Sequence, residues 1–318
     1  MKVNYGGFFR KGQPEKMPQK KELNQSAVWY GMEWKIPAAY FCKEGIVLDL
    51  CRSVPRGILE AYYEKWRPLL KNGDMDPGKE AQIQRENPFA RDYNVTLEVN
   101  GNVCGRENRS SIRWYGLSGV PDSQEADELM DAYSCDRGKA WQFDRISFPW
   151  QGEVETLSLT LKALPVYYEG SPRFVTRPGC GSEQIEIQNP SGRSGCRIEI
   201  KGCEASVLKE ELCQSDREWP RQFQVLTYQI QGWENSEKAI RPVIRDCRMS
   251  DEPRKKGDRA ADGPAGISVL AVKENHDDFM AETVCSSLHF EPQQETEWMV
   301  LFPEVEEGEK TILLTGQE

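Results

Sequence analysis

Hydrophobic and polar residues alternate at every second position in many segments of this chain. In TLSLTLKA, Leu157, Leu159 and Leu161 share one side of an extended chain, and the Ser, Thr and Lys residues between them share the other. Because successive side chains of a β-strand point to opposite faces, this pattern predicts a half-buried strand. YNVTLEVNGNVCG alternates in the same way up to Asn100-Gly101, a pair that suits a tight hairpin turn.

The second half of the chain consists almost entirely of such segments. EQIEIQNPSGRSGCRIEIKG pairs two isoleucine-rich stretches across a loop of Pro, Gly and Ser residues. Further strands are predicted in FQVLTYQIQGW, GISVLAV, VCSSLHF, EWMVLFP and KTILL. Many short strands separated by turn residues are typical of a β-sandwich or barrel.

Two segments of the first half have the spacing of a helix instead. In SVPRGILEAYYEKWRPLLK, apolar and aromatic residues recur every three to four positions after Ser53, which is predicted to cap the helix. In VPDSQEADELMDAYSC, Ala126, Leu129 and Tyr133 form a similar stripe, and Asp122 is the predicted cap.

These patterns predict a mainly β fold of the α+β kind, with two β-sandwich-like domains or layers, the first carrying the two short helices. The boundary is placed at the start of YYEGSPRFVTRPGCGS, which contains the Pro and Gly residues expected of a connection. Residues 1–166 are predicted to form an α+β domain with an extended N-terminal arm. Residues 167–318 are predicted to form an acidic, all-β, sandwich-like domain.

The composition is that of a globular protein with enough material for a core. Of the 318 residues, 38% are hydrophobic and 29% are charged. No apolar run approaches the roughly 20 residues that a membrane helix needs, and no membrane partner is predicted. The polar start of the chain contains no signal-peptide pattern, so the expected location is the cytoplasm.

Acidic charge is concentrated in the second half. Residues 1–165 contain equal numbers of basic and acidic residues, so the whole net charge of −10 falls in residues 166–318. Because an acidic surface repels phosphate backbones, a nucleic-acid partner is not predicted.

The usual motifs of cofactor and metal sites do not occur. The ten cysteines form no C-x-x-C pair, and a long chain without secretory features is expected to keep its thiols reduced. Glycine-rich phosphate loops, the G-x-S-x-G elbow and the H-E-x-x-H zinc motif are also missing from the sequence. No cofactor is therefore predicted.

RPVIRDCRMS contains the candidate ligand-binding residues. Basic groups around a thiol bind anions, or they lower the pKa of the thiol and make it reactive. The alternative is a sheet edge whose charges prevent pairing with another chain. The candidates are Arg241, Arg245, Asp246, Cys247 and Arg248.

ENHDDF contains the candidate metal ligands His276, Asp277 and Asp278. Imidazole and carboxylate groups this close together can hold a metal ion, although the same residues also favour a turn. The only other histidine, His289, lies in a predicted strand and is interpreted as a partly exposed sheet residue.

The tripeptide Trp-Tyr-Gly occurs twice, beginning at Trp29 and at Trp114. The elements predicted after the two copies differ, which argues against a duplicated module. We predict that both tryptophans are core residues of neighbouring strands. The alternative is an exposed aromatic shelf that binds a sugar or a protein.

Three segments of the chain, WYGMEWKIPA, QIEIQNPSG and LHFEPQQETEWMVLF, resemble an uncharacterised family of clostridial hypothetical proteins. The resemblance extends over most of the chain. It implies no activity and transfers no site residue.

The interpretation that fits best is a non-catalytic cytoplasmic binding or scaffold protein with an unknown protein or small-molecule ligand. One alternative is a hydrolase that uses carboxylates such as Glu210-Glu211 or Glu306-Glu307 as acid and base on a glycan or small ester. The other is a metal-dependent protein. No oligomeric state is predicted.

Overall fold

The computed structural model describes residues 3–8, 18–72, 77–118, 121–209, 217–233, 240–255, 264–265, 281–305 and 308–315. The chain divides into two compact units. Unit 1 contains Met1–Lys65, Glu86–Leu164 and Val305–Glu318, and unit 2 contains Trp66–Arg85 and Pro165–Glu304. Within the described ranges, no helix is long and apolar enough to cross a membrane.

The described elements are three helices and twenty-one strands. The helices are α1 (Arg56–Asn72), α2 (Pro77–Glu86) and α3 (Gln124–Ala132). The strands are β1 (Gln19–Trp29), β2 (Met32–Phe41), β3 (Gly45–Pro55), β4 (Tyr93–Val99), β5 (Asn102–Gly105), β6 (Asn108–Trp114), β7 (Lys139–Pro149), β8 (Leu157–Ala163), β9 (Val166–Glu169), β10 (Phe174–Thr176), β11 (Glu183–Ile187), β12 (Cys196–Val207), β13 (Arg217–Glu218), β14 (Gln222–Gln231), β15 (Val243–Asp246), β16 (Ser250–Asp251), β17 (Arg254–Lys255), β18 (Pro264–Ala265), β19 (Glu282–Cys285), β20 (Thr296–Glu304) and β21 (Glu309–Thr315).

Unit 1 is built from two antiparallel sheets. The larger has the strand order β1-β2-β3-β7-β6, and the smaller has the order β21-β8-β4-β5. Tyr93 of β4 packs edge-on against Trp34 of β2, with ring centroids 4.9 Å apart, so the two sheets face each other. Leu157, Leu159 and Leu161 of β8 are fully buried, as their alternation predicted.

The larger sheet of unit 1 is buried on both faces. On the face away from the smaller sheet, Cys51, Trp141 and Phe143 pack with Leu129 and Met130 of α3. Strands β3 and β7 are therefore almost continuous runs of buried residues rather than alternating ones.

Residues 3–8 also pack on this sheet. Val3 and Tyr5 form a buried cluster with Tyr40 of β2 and Val47 of β3. The predicted extended N-terminal arm is therefore packed against the sheet over these residues.

Two tight turns in unit 1 have positive φ at both central residues. Asn100 and Gly101, at 50° and 78°, join β4 to β5 in the hairpin that the sequence predicted. Tyr30 and Gly31, at 58° and 67°, join β1 to β2 in the same way. This backbone is that of the type I′ turn, whose twist matches that of the flanking strands.

Unit 2 is also a pair of facing sheets. One contains β10-β20-β15, with β9 paired to the same edge of β20 as β10, and the other has the order β11-β12-β14-β19. Trp298 and Val300 of β20 and Ile198 and Ile200 of β12 form the core between these sheets. Unit 2 also contains two separate two-stranded sheets, one formed by β13 and β17 and the other by β16 and β18.

The mainly β class predicted from the sequence is confirmed. The helices differ from the prediction in their number and in both predicted caps. Helix α2 is not predicted by the sequence, and α3 is capped by Ser123, whose hydroxyl accepts a hydrogen bond from the Ala126 amide at 3.2 Å. Asp122, the predicted cap, instead accepts bonds from the amides of Tyr115 and Gly116. Ser53 lies within β3, so it does not cap α1.

The two units do not follow each other end to end along the chain. Strand β21 pairs with β8 in unit 1, and most of α2 belongs to unit 2. The predicted boundary after residue 166 stays a prediction. The strand predicted in GISVLAV lies outside the described residues.

The two Trp-Tyr-Gly stretches occupy different places in unit 1. Trp29 and Trp114 are 5% and 6% exposed, so both are core residues as predicted. They do not lie on neighbouring strands, because β1 and β6 are the opposite edges of the larger sheet. The exposed large hydrophobic residues in the described part of the chain are all aliphatic, which leaves the aromatic-shelf alternative without support.

Candidate functional site

The five candidate residues between 241 and 248 lie on and around β15, but their side chains turn to different partners. Arg241 pairs with Glu282 at 2.6 Å, and Arg245 pairs with Glu80 of α2 at 3.4 Å. The Arg248 guanidinium instead donates to the side-chain amide of Gln293. The three arginines therefore do not form one anion site by themselves.

Asp246 is a buried carboxylate that organises the backbone around it. Its two oxygens accept hydrogen bonds from the amides of Arg248 and Ser287, both at 2.8 Å. Burial raises the pKa of Asp246, and these two backbone bonds oppose the rise. The contacts tie the end of β15 to the segment after β19, which is a structural role.

Cys247 is a buried thiol with a raised pKa. It is 5% exposed and packs with Met299 and Leu301 of β20. Burial raises the pKa of Cys247 to about 12, although the positive charge of Arg173 opposes the rise. Loss of hydration therefore outweighs the attraction of the nearby positive charge, which does not favour the alternative of an activated thiol.

A cleft in the described part of unit 2 runs along α2. Its volume is about 440 Å³. It is lined by Gly78, Lys79, Ala81, Gln82 and Arg85 of α2, by Tyr168 and Glu169 of β9, by Arg173 before β10, and by Pro190 after β11.

Helix periodicity explains how α2 forms this cleft. Gly78, Ala81 and Arg85 recur at intervals of three and four residues, so they share one face of the helix. The two small residues leave space beside the helix axis. Glu80, which reaches Arg245, and the buried Ile83 are not part of the cleft lining.

Arg85 is one of three cations in the lining of the cleft. Its guanidinium lies over the ring of Tyr168, with 4.9 Å between the guanidinium carbon and the ring centroid. No carboxylate among the described residues forms an ion pair with Arg85. Stacking on an aromatic ring fixes the plane of the guanidinium and leaves its edge N–H groups available to a planar or tetrahedral anion.

Arg173 and Glu169 form a fixed wall of the cleft. Two N–H groups of Arg173 donate to the two carboxylate oxygens of Glu169 at 2.6 and 3.3 Å, and a third reaches Glu297 at 3.4 Å. The hydrogen bond to Glu169 raises the pKa of Arg173. Glu169 is the one carboxylate of the described cleft lining, and it is held by this pair, so the lining does not contain two carboxylates for acid–base chemistry.

The predicted metal ligands His276, Asp277 and Asp278 lie outside the described residues, as do the acidic pairs Glu210-Glu211 and Glu306-Glu307. Within the ranges that the structure describes, no group of three or more His, Cys, Asp or Glu side chains could hold a metal ion.

His289 is buried, at 6% exposure, rather than partly exposed as the sequence suggested. Its Nδ1 atom lies 3.3 Å from a carboxylate oxygen of Asp251. Its backbone forms an antiparallel bridge with Gln222 of β14, with two hydrogen bonds of 2.8 Å.

Unit 1 contains two groups of buried charges, one on each face of its larger sheet. Arg145 of β7 makes a two-pronged pair with Asp49 of β3, at 2.8 and 2.7 Å. Arg52 and Asp144, on the same two strands, belong to the other face. All four residues are 2% exposed or less, so we assign these charges to the stability of unit 1.

Sequence reasoning missed the residues that form the cleft. Arg85 lies in a polar segment with a single buried apolar residue, Ile83, and carries no motif. Tyr168 and Arg173 lie in YYEGSPRFVTRPGCGS, whose Pro and Gly residues predict a connection. The cleft depends on packing between residues that are far apart in sequence.

No family model, curated protein or solved structure matches this chain.

Proposed function

We propose that this protein is a non-catalytic binding protein whose unit 2 holds a small organic anion in the cleft along α2. The observation that carries the proposal is the Arg85 guanidinium, stacked on Tyr168 and without a carboxylate partner among the described residues. A guanidinium in this state donates two parallel hydrogen bonds to a carboxylate or phosphate. Lys79 adds a second positive charge to the same cleft.

The size and lining of the cleft define the class of ligand. Its volume of about 440 Å³ falls in the range of roughly 300–1,000 Å³ that is usual for small-molecule sites. Tyr168 and Pro190 supply apolar surface, and the Gln82 amide supplies hydrogen-bonding groups. A carboxylate or phosphate on a compact organic body is the ligand that matches all three features.

The test is a binding screen with a defined panel of small carboxylates and phosphate monoesters. Compounds that raise the melting temperature of the protein are then titrated by calorimetry against wild type and Arg85→Gln. Since a hydrogen bond to a charged group contributes about 1.5–3 kcal/mol, Arg85→Gln should weaken binding by about tenfold or more.

The matched control is Arg197→Gln, which removes an exposed arginine of unit 2 that pairs with Glu186 outside the cleft. Its affinity should equal that of wild type. A panel without any binder, or a binder whose affinity is the same in wild type and Arg85→Gln, would contradict the proposal.

We also propose a cytoplasmic location. The nine cysteines in the described part of the chain form no disulfide, and six of them are buried. Thiols of this kind are usual in a reducing compartment. Fractionation of cells with an antibody to the protein would test the location, and recovery in the medium would contradict it. The resemblance to the clostridial family remains a proposal beside this one and assigns no ligand.

A further inference from the structure

Two thiols of unit 2 lie side by side although they are far apart in sequence. A turn follows β10, in which the Cys180 amide donates to the Arg177 carbonyl at 3.0 Å. The neighbouring Gly179 amide donates to the backbone carbonyl of Cys203 on β12 at 2.7 Å. These bonds hold the turn against β12, so Cys180 lies next to Cys203 in the chain fold and packs against the core cluster that contains Cys203.

The two thiols differ in their access to solvent. Cys203 is 1% exposed and belongs to the core between the two sheets. Cys180 is half-buried and packs against the edge of the same core. A reagent in solution therefore meets Cys180 first, and Cys203 is the thiol behind it.

Hydrogen bonds fix the position of the buried thiol. The Thr176 hydroxyl donates to the sulfur of Cys203 at 3.4 Å, and the thiol of Cys203 donates to the side-chain oxygen of Gln224 at 3.2 Å. Burial raises the pKa of Cys203, the bond from Thr176 opposes the rise, and the Cys180 thiol adds to it. The Cys203 thiol is thus protonated and held next to its neighbour.

We propose that Cys180 and Cys203 form a reversible disulfide when the protein meets a low-molecular-weight disulfide such as oxidised glutathione. The cross-link joins the turn after β10 to strand β12 within unit 2. It requires no large movement of the backbone, because the hydrogen bond from Gly179 to Cys203 already holds the turn beside β12 and Cys180 packs against the same core.

The disulfide forms by two successive thiol–disulfide exchange reactions. The Cys180 thiolate attacks one sulfur of oxidised glutathione, which forms a mixed disulfide and releases one glutathione thiolate. The released thiolate takes the proton of Cys203, and the Cys203 sulfur attacks the sulfur of Cys180, which releases the second glutathione. The two cysteines lose two electrons, and one oxidised glutathione becomes two reduced molecules.

The experiment incubates the full-length protein with oxidised glutathione, blocks the remaining thiols by alkylation and maps the digested peptides by mass spectrometry. The expected result is a stoichiometric Cys180–Cys203 peptide that disappears after dithiothreitol treatment. Since a disulfide restricts the unfolded chain, the oxidised protein should melt about 5 °C higher than the reduced protein.

Two variants complete the test. Cys180→Ser, at the half-buried position, should give no cross-link and no increase in melting temperature. Cys285→Ser removes another half-buried thiol of unit 2, whose raised pKa is due to burial alone, and should cross-link as wild type does. Wild-type protein in which Cys180 remains glutathionylated, remains free or joins any cysteine other than Cys203 would overturn the proposal.

Discussion

Asp144 is fully buried on β7, and its carboxylate is the centre of a polar group inside unit 1. It accepts four side-chain hydrogen bonds and lies 3.8 Å from the Nε atom of Arg52. The four donors are Tyr93, Arg109, Ser111 and Gln142. We predict that Asp144→Asn destabilises unit 1 strongly, because it leaves two arginines without their shared counter-charge.

The magnitude follows from burial. The side chains of Arg52 and Arg109 are 2% and 14% exposed, so water cannot replace the missing charge. Burial lowers the pKa of Arg52 even with Asp144 present, which shows how far this cation depends on its partner. Removing one member of a buried ion pair costs about 3–5 kcal/mol, a large share of the roughly 5–15 kcal/mol that a domain has.

Hydrogen exchange in increasing urea measures the effect within unit 1. Peptides from β3, β4 and β7 should exchange at lower urea in Asp144→Asn than in wild type, whereas peptides from β12 report on unit 2. The control is Asp92→Asn, because Asp92 binds the same Arg109 at 2.7 Å but is 58% exposed. An exposed pair contributes only about 0–1 kcal/mol, so the control should resemble wild type.

The loss of stability in Asp144→Asn should depend on pH, because the Asp144 carboxylate titrates. Burial by itself would raise the pKa of Asp144, but the charges of Arg52 and Arg109 and the bonds from Ser111 and Gln142 lower it overall. Its contribution is therefore present above the unfolded pKa of about 3.9 and is lost as pH falls through the lower folded value. The free energies of unfolding of wild type and Asp144→Asn should differ by the full amount at pH 7 and should become similar in strong acid. A free energy of unfolding at pH 7 within about 1 kcal/mol of wild type would refute the reasoning.

Strand pairing inside unit 1 could be predicted because its signal is local. Leu157, Leu159 and Leu161 alternate with polar residues, and all three are buried in β8. The turn at Asn100 and Gly101 needs positive φ at both positions, which these residue types tolerate better than most. Each prediction required only residues that are adjacent in sequence.

The two Trp-Tyr-Gly stretches show where local information ends. Burial of Trp29 and Trp114 followed from their size and flanking residues. The positions of the two tryptophans could not be predicted in this way. The first stretch turns at Tyr30 and Gly31 into β2, whereas the second lies at the end of β6, beside α3. The same three residues thus occupy opposite edges of one sheet, which is decided by the pairing order of the strands.

The cleft was beyond sequence reasoning for a related reason. Helix α2 begins with Pro77 and has Glu80 in its first turn and Arg85 in its last, which suits the helix dipole. Its one buried apolar side chain, Ile83, gives no periodic pattern. Tyr168, which contacts Arg85, lies more than eighty residues further along the chain, so this contact exists only after the chain has folded.

Three further predictions concern the packing of single residues. Trp29→Ala should cost about 3–5 kcal/mol in a urea titration, whereas Val28→Ala at a 76% exposed neighbour should have little effect. Cys247, with its pKa of about 12, should resist iodoacetamide at pH 8 until the protein unfolds, and rapid native alkylation would contradict its burial. Gly116→Ala should destabilise more than Gly101→Ala. Both glycines have positive φ, but a Cβ at Gly116 would lie 2.5 Å from the indole ring two residues earlier, whereas Gly101 has no neighbour within 4 Å. Backbone strain is therefore shared by the two variants, and equal melting temperatures would show that the ring moves aside without cost.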